Sequence, residues 1–177
     1  MEHGIFSQWA PKYQAAGFEP RPIKPGTKAC KLTGWNKPDT ALPNDIYTRW
    51  IDTNGDHGIG LRLGTPMPDN TVLGTLDIDV DRFDEVARSM LDGPICGRYG
   101  SKGAAYFVRV RGAGNTSKWV FNVREVGGDT THIGELLCTG SLIVIPPTIH
   151  PDIQCPYRWI GKPLLEVNPH DLPIVEV

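Results

Sequence analysis

No run of apolar residues in this chain approaches the ~20 needed to cross a bilayer, and the segment with Glu2 and His3 has no signal-peptide pattern. A membrane-embedded function is not expected. Excess positive charge is missing too. With 18 Lys and Arg against 20 Asp and Glu, the formal net charge is -2, so contact with nucleic acid has to come from a local patch. Cysteine is scarce: Cys30, Cys96, Cys138 and Cys155 form no Cys-x-x-Cys pair and have no histidine at zinc-finger spacing. They are expected to be reduced, mostly buried thiols of a cytoplasmic protein. The phosphate loop GxxxxGK[ST], the nucleophile elbow and the His-Glu-x-x-His zinc helix are also absent, which argues against an ATP-driven motor and zinc hydrolysis.

Turn formers are abundant, with 20 Gly and 16 Pro in 177 residues, and this favours many short strands over a helical bundle. A hydrophobic content of 40% can fill the core of one domain over residues 1–177. Phe6, Trp9, Ala10, Tyr13 and Ala16 recur at helical spacing before Gly17, predicting a helix over 5–16 that starts near Trp9 or kinks at Pro11. Pro43-Asn44-Asp45 opens a second helix with Ile46, Trp50 and Ile51 on one side. Further strands are expected over 58–64, 95–98, 105–111, 118–123 and 157–160, with a helix over 83–91. The strands over 131–138 and 141–145 are expected to form a hairpin through Thr139-Gly140. The proline-rich tail after Pro163 reads as a domain edge.

The most informative stretch is Val72 to Val80. Strand alternation puts Thr75, Asp77 and Asp79 on one face and Leu76, Ile78 and Val80 on the other, where a core is expected. Two like charges two residues apart are unfavourable without a cation nearby, which points to Mg²⁺ or Mn²⁺. Glu135, in apolar company, is a candidate third carboxylate held from a second strand. The turn Arg98-Tyr99-Gly100-Ser101-Lys102-Gly103 offers two cations and backbone N–H groups to phosphate oxygens. Lys28, on the turn after Pro25-Gly26, is a second candidate phosphate contact, and His150 stands in a loop beside Pro151. Trp35, Tyr157 and Trp159 are candidates for stacking on a base or for the core.

In their order, Gly17 to Ile23 with Lys28 and Gly34-Trp35, Leu76-Asp77-Ile78-Asp79, Arg98 to Gly103, Gly134-Glu135-Leu136-Leu137, Pro146 to Pro151 and Tyr157-Arg158-Trp159 resemble the bifunctional primase-polymerase domain of the archaeo-eukaryotic primase superfamily. The resemblance covers about residues 5–173. It implies an α+β fold in which an RRM-like antiparallel sheet is fused to a second small α/β unit, with the active-site cleft between them. It implies a DNA primase or polymerase: a template-directed nucleotidyltransferase of DNA replication that uses two Mg²⁺ or Mn²⁺ ions. Asp77, Asp79 and Glu135 would be catalytic and hold the metal. Arg98, Ser101, Lys102, Gly103, His150 and Lys28 would bind the nucleotide. Many members carry a Gly-x-His second motif, whereas Gly103-Ala104-Ala105-Tyr106 has no histidine. The implied partners are nucleoside triphosphates, a DNA template and primer, and a helicase domain or protein. The implied setting is viral or plasmid replication, in the host cytoplasm if viral. A degenerate nucleotide- or single-stranded-DNA-binding module and a metal-dependent nuclease are the alternatives.

Overall fold

A computed structural model describes residues 4–177, so Glu2 and His3 lie outside the described residues. The chain runs α1 (Ile5–Ala15), β1 (Glu19–Ile23), α2 (Ile46–Asn54), β2 (Gly58–Arg62), β3 (Pro66–Met67), β4 (Thr71–Ile78), α3 (Asp84–Ser89), β5 (Cys96–Tyr99), β6 (Ala104–Arg111), β7 (Lys118–Arg124), β8 (Thr130–Leu137), β9 (Leu142–Val144), β10 (Arg158–Gly161) and β11 (Ile174–Glu176). The fold is α+β with antiparallel sheets and few helices. A three-stranded sheet has the order β1-β2-β9 and a larger one the order β10-β5-β6-β4-β8-β7. Strand β3 pairs with β4, and β11 runs parallel to β6.

Helix α1 buries Phe6, Ala10 and Tyr13, a 3.6-residue repeat, and stops where Gly17 takes a φ of 85°. It starts at Ile5, earlier than Pro11 suggested. Pro11 is exposed, so the hydrogen bond that its ring removes lies toward water. The amides of Phe6 and Ser7, without partners inside the helix, donate to the carbonyls of His57 and Gly55 at 2.9 and 3.0 Å. The main core joins this helix and Trp50 of α2 to Ile59, Leu61 and Ile143 of the small sheet and to Leu73, Ala105 and Phe107 of the large one.

Three expectations are corrected. The Thr139-Gly140 turn forms, with the Ser141 amide donating to Cys138 O at 2.9 Å, but its flanking strands do not pair. Strand β8 joins β4 and β7, while β9 crosses to β2 in the small sheet. Leu76 and Ile78 do not face the main core. They line the far side of the large sheet in a groove of about 440 Å³ that α3 covers only in part, with Met90 and Phe121 at its exposed margin. The tail is no loose edge: Leu164 and Leu172 are buried, and β11 adds to the large sheet.

Two buried arginines fasten the long 24–45 connection. Arg21, fully buried in β1, donates to the carbonyls of Trp35 (2.7 Å) and Lys37 (2.9 Å) and to the Tyr47 hydroxyl (2.9 Å), with Asp39 at 2.9 Å as counter-charge. Arg62 donates to Asn36 O at 2.8 Å and pairs with Glu19 at 2.7 Å. Such buried charges are tolerable because nearly every donor has an acceptor. Replacing Arg21 by Met strands those acceptors and is expected to cost about 3 kcal/mol or more of stability, read as a lower urea midpoint at pH 7. An unchanged midpoint would show that the connection is held in another way.

Candidate active site

Pairing on both sides of β4 builds the site. Asp77 lies directly opposite Glu135 of β8 and Ala105 of β6, and Ala105 lies opposite Arg98 of β5. Directly opposite residues share a face, so one row across the sheet reads Arg98, Ala105, Asp77, Glu135. Asp77 and Arg98 stand two strands apart, roughly 10 Å between backbones. The methyl group of Ala105, between them, fills little of that space. Strand β4 ends at Ile78, and Asp79 just beyond it is tied by its amide to Ile133 O at 2.8 Å. Gly134 allows this close approach, since a Cβ there would strike the Asp77 carbonyl.

The two flanking acids are engaged by neighbouring side chains. Glu135 Oε1 accepts from Lys118 Nζ at 2.6 Å, and Asp79 Oδ2 lies 2.9 Å from His132 Nε2. The Asp77 carboxylate has no ion-pair or hydrogen-bond partner among the described residues. Burial pushes its pKa up. Arg98 and Lys28 pull it down, and Asp79 and Glu135 push it further up.

Arg98 is fixed by packing and one hydrogen bond. Its Nε donates to Val144 O of the small sheet at 3.1 Å, and its guanidinium carbon sits 4.9 Å from the Tyr157 ring centroid. It makes no ion pair among the described residues, so its terminal donors are unspent. His150 is buried at 1% exposure with its ring 5.0 Å from that of Tyr157. Burial lowers its pKa, helped by Lys28 and Arg98 against the opposing effect of Asp152. Its Nδ1 accepts from the Asp152 amide at 3.1 Å, which places the proton of the neutral ring on Nε2. Lys28 pairs with Asp152 at 3.3 Å, joining the 24–28 turn to the 148–154 loop.

A family model for bifunctional DNA primase/polymerase, N-terminal, matches residues 10–174. The chain belongs to the bifunctional DNA primase/polymerase family. Among curated proteins, none matches the chain. Membership in the primase/polymerase family brings with it nucleotidyl transfer on DNA and the general use of divalent metals.

The structure of this primase/polymerase domain brings Asp77, Asp79, Glu135, Arg98, Lys28 and His150 toward one region. It does not bring all the residues of the second motif there. Ser101 and Lys102 are exposed on their turn, and Lys102 makes no ion pair among the described residues. Gly103 is buried against the end of β4, and its amide donates to Asp81 Oδ1 at 2.6 Å, so that N–H is not free for a phosphate. Asp81 thereby closes a turn. Sequence reasoning missed Lys118 as a neighbour of Glu135 and His132 as a neighbour of Asp79, because the first contact depends on how β7 pairs with β8 and the second on how β8 runs past the end of β4. For Tyr157 it favoured the core over stacking on a base. Tyr157 is 4% exposed and supports Arg98 and His150.

Among the described residues no group of three or more His, Cys, Asp or Glu is gathered about a single point. The donor chemistry nonetheless fits a hard divalent cation: three carboxylates, one of them partly buried and without a partner. The raised Asp77 pKa also fixes a sign. Its ordinary value is 3.8, and a higher value in the folded state means that the native protein binds more protons than the unfolded chain once the pH rises past about 4, so this group subtracts stability as pH rises through its folded pKa. Asp77→Asn is therefore expected to raise the melting temperature at pH 7 in metal-free buffer, with the gain vanishing below about pH 4. A lower melting temperature at pH 7 would contradict the assignment of Asp77 as an uncompensated charge.

Proposed function

We propose that this domain is a template-directed nucleotidyltransferase that extends a DNA strand from nucleoside triphosphates, with Asp77, Asp79 and Glu135 as the acids that hold two divalent ions. The observation that carries this reading is the row across the large sheet. Asp77 and Arg98, opposite in charge and each without an ion-pair partner among the described residues, lie on the same face of the large sheet two strands apart. A carboxylate free to bind a cation and a guanidinium free to bind an anion suit a metal-bound triphosphate. When bound there, divalent ions supply Lewis-acid stabilisation of charge on phosphate and hydroxyl oxygens.

The chain's own residues orient that chemistry. Arg98, held by Val144 and Tyr157, presents its terminal N–H groups to phosphate oxygens in a fixed direction, so little reorganisation is needed as charge builds during transfer. Lys28 adds a second positive charge from the small-sheet side. His150, neutral with its proton on Nε2, is a hydrogen-bond donor to a phosphate oxygen. These groups from the small-sheet side take the part that the second-motif histidine plays in many members, and Ala105 leaves room for the triphosphate between Asp77 and Arg98. The RRM-like arrangement of the large sheet belongs to this same proposal.

A second reading has an observation in its favour. Lys118 and His132 already occupy Glu135 and Asp79, as in a module that binds nucleotide or single-stranded DNA without chemistry. A primer–template assay with labelled deoxynucleotides and Mg²⁺ or Mn²⁺ separates the outcomes: longer strands support the polymerase, binding with unchanged strands supports the module, and shortened strands support a nuclease. Asp77→Asn is expected to abolish extension. Arg98→Met is expected to lower kcat/KM for nucleotide roughly 100-fold, with the fold intact by circular dichroism. Full activity of Asp77→Asn would remove the metal assignment.

A further inference from the structure

Lys118 stands at the start of β7, the outermost strand of the large sheet, and has no evident structural duty. Its side chain is half exposed, and it reaches diagonally across to Glu135 although the register places Val120 opposite that acid. A half-exposed lysine has many conformations open to it, and holding one of them against a single carboxylate has an entropic cost. The site explains the choice. Asp77 and Glu135 are like charges on directly opposite positions, with Asp79 beside them, and Arg98 stands two strands beyond Asp77 on the other flank. Without a bound cation, Glu135 needs a neutralising charge from its own side of the sheet, and Lys118 supplies it at 2.6 Å.

We propose that Lys118 is a positioning residue for Glu135: a built-in counter-cation that a divalent metal must displace. This rests on the reading of Asp77, Asp79 and Glu135 as the metal-holding acids. The ammonium group holds Glu135 in place through Oε1. A divalent ion held by Glu135 would compete with this ammonium group for the carboxylate, and Lys118, half exposed, can turn toward water without any covalent change. The consequence is a threshold. Metal alone binds weakly because it competes with Lys118, whereas metal carried on a triphosphate brings additional contacts to Arg98 and Lys28 and wins that competition.

The test is Mn²⁺ titration of the whole chain in the absence of nucleotide, followed by electron paramagnetic resonance of free Mn²⁺, for wild type, Lys118→Met, Lys118→Arg and Arg124→Met. Lys118→Met is expected to tighten Mn²⁺ binding roughly fivefold, about 1 kcal/mol, while Lys118→Arg stays close to wild type. Arg124→Met removes an exposed charge from the same strand without touching Glu135, so it gauges the general field and is expected to change little. In a Glu135→Gln background the effect of Lys118→Met is expected to disappear. Mn²⁺ binding that is lost in Asp77→Asn but is the same in wild type and Lys118→Met would overturn the role of Lys118 and leave the metal site standing. Equal tightening in Lys118→Met and Arg124→Met would also overturn it. Absence of Mn²⁺ binding with and without nucleotide would remove the metal reading itself, and this inference with it.

Discussion

Everything in the site depends on β4 being paired along both edges. A strand with antiparallel neighbours on each side has its register fixed twice, by β6 and by β8, and a slip of one residue would send Asp77 to the opposite face. That double ladder holds Asp77 and Glu135 side by side against their mutual repulsion. Backbone hydrogen bonds and the apolar residues above and below in the sheet supply the restraint. Leu73, Thr75 and Asp77 are successive members of one face: the first two are fully buried, and the third is partly exposed. The carboxylate is thus anchored by a core that ends one step away from it.

The small sheet and its connections work from the opposite side. Arg21 and Arg62 draw the 24–45 connection onto β1 and β2. The turn at its start carries Lys28, which pairs with Asp152 in the loop that holds His150. Arg98 spans the two sheets, rooted in β5 and bonded to the Val144 carbonyl of β9. The cationic side of the site is therefore assembled from four separate parts of the chain. Tyr157 stacks against two of its members and holds them as a unit.

Charge at this site is arranged around an excess that the protein does not neutralise completely. Lys118 answers Glu135 and the His132 ring lies against Asp79, while Asp77 is left with only the longer-range fields of Arg98 and Lys28. Leaving one partly buried carboxylate without a direct partner costs stability, and such costs persist where they serve binding. A cationic ligand at Asp77 relieves that cost, so affinity for the ligand and instability of the empty site have the same origin.

Much of this was legible in the amino-acid sequence. Periodicity gave α1, α2 and most strands, since a 3.6-residue or two-residue repeat is a local property. Asp77 and Asp79 stood out because alternation within a single strand puts neighbouring carboxylates together, and the order of the motifs pointed to the family. What lay beyond the sequence was every relation between strands. That Thr139-Gly140 separates two sheets instead of closing a hairpin, that Leu76 and Ile78 line an open groove, that the Gly103 amide serves Asp81, and that Lys118 reaches Glu135 all follow from pairing partners and register. Local residue preferences do not encode these. They are settled by which arrangement buries the shared core of the two sheets while satisfying the backbone, and only the assembled tertiary structure makes that choice.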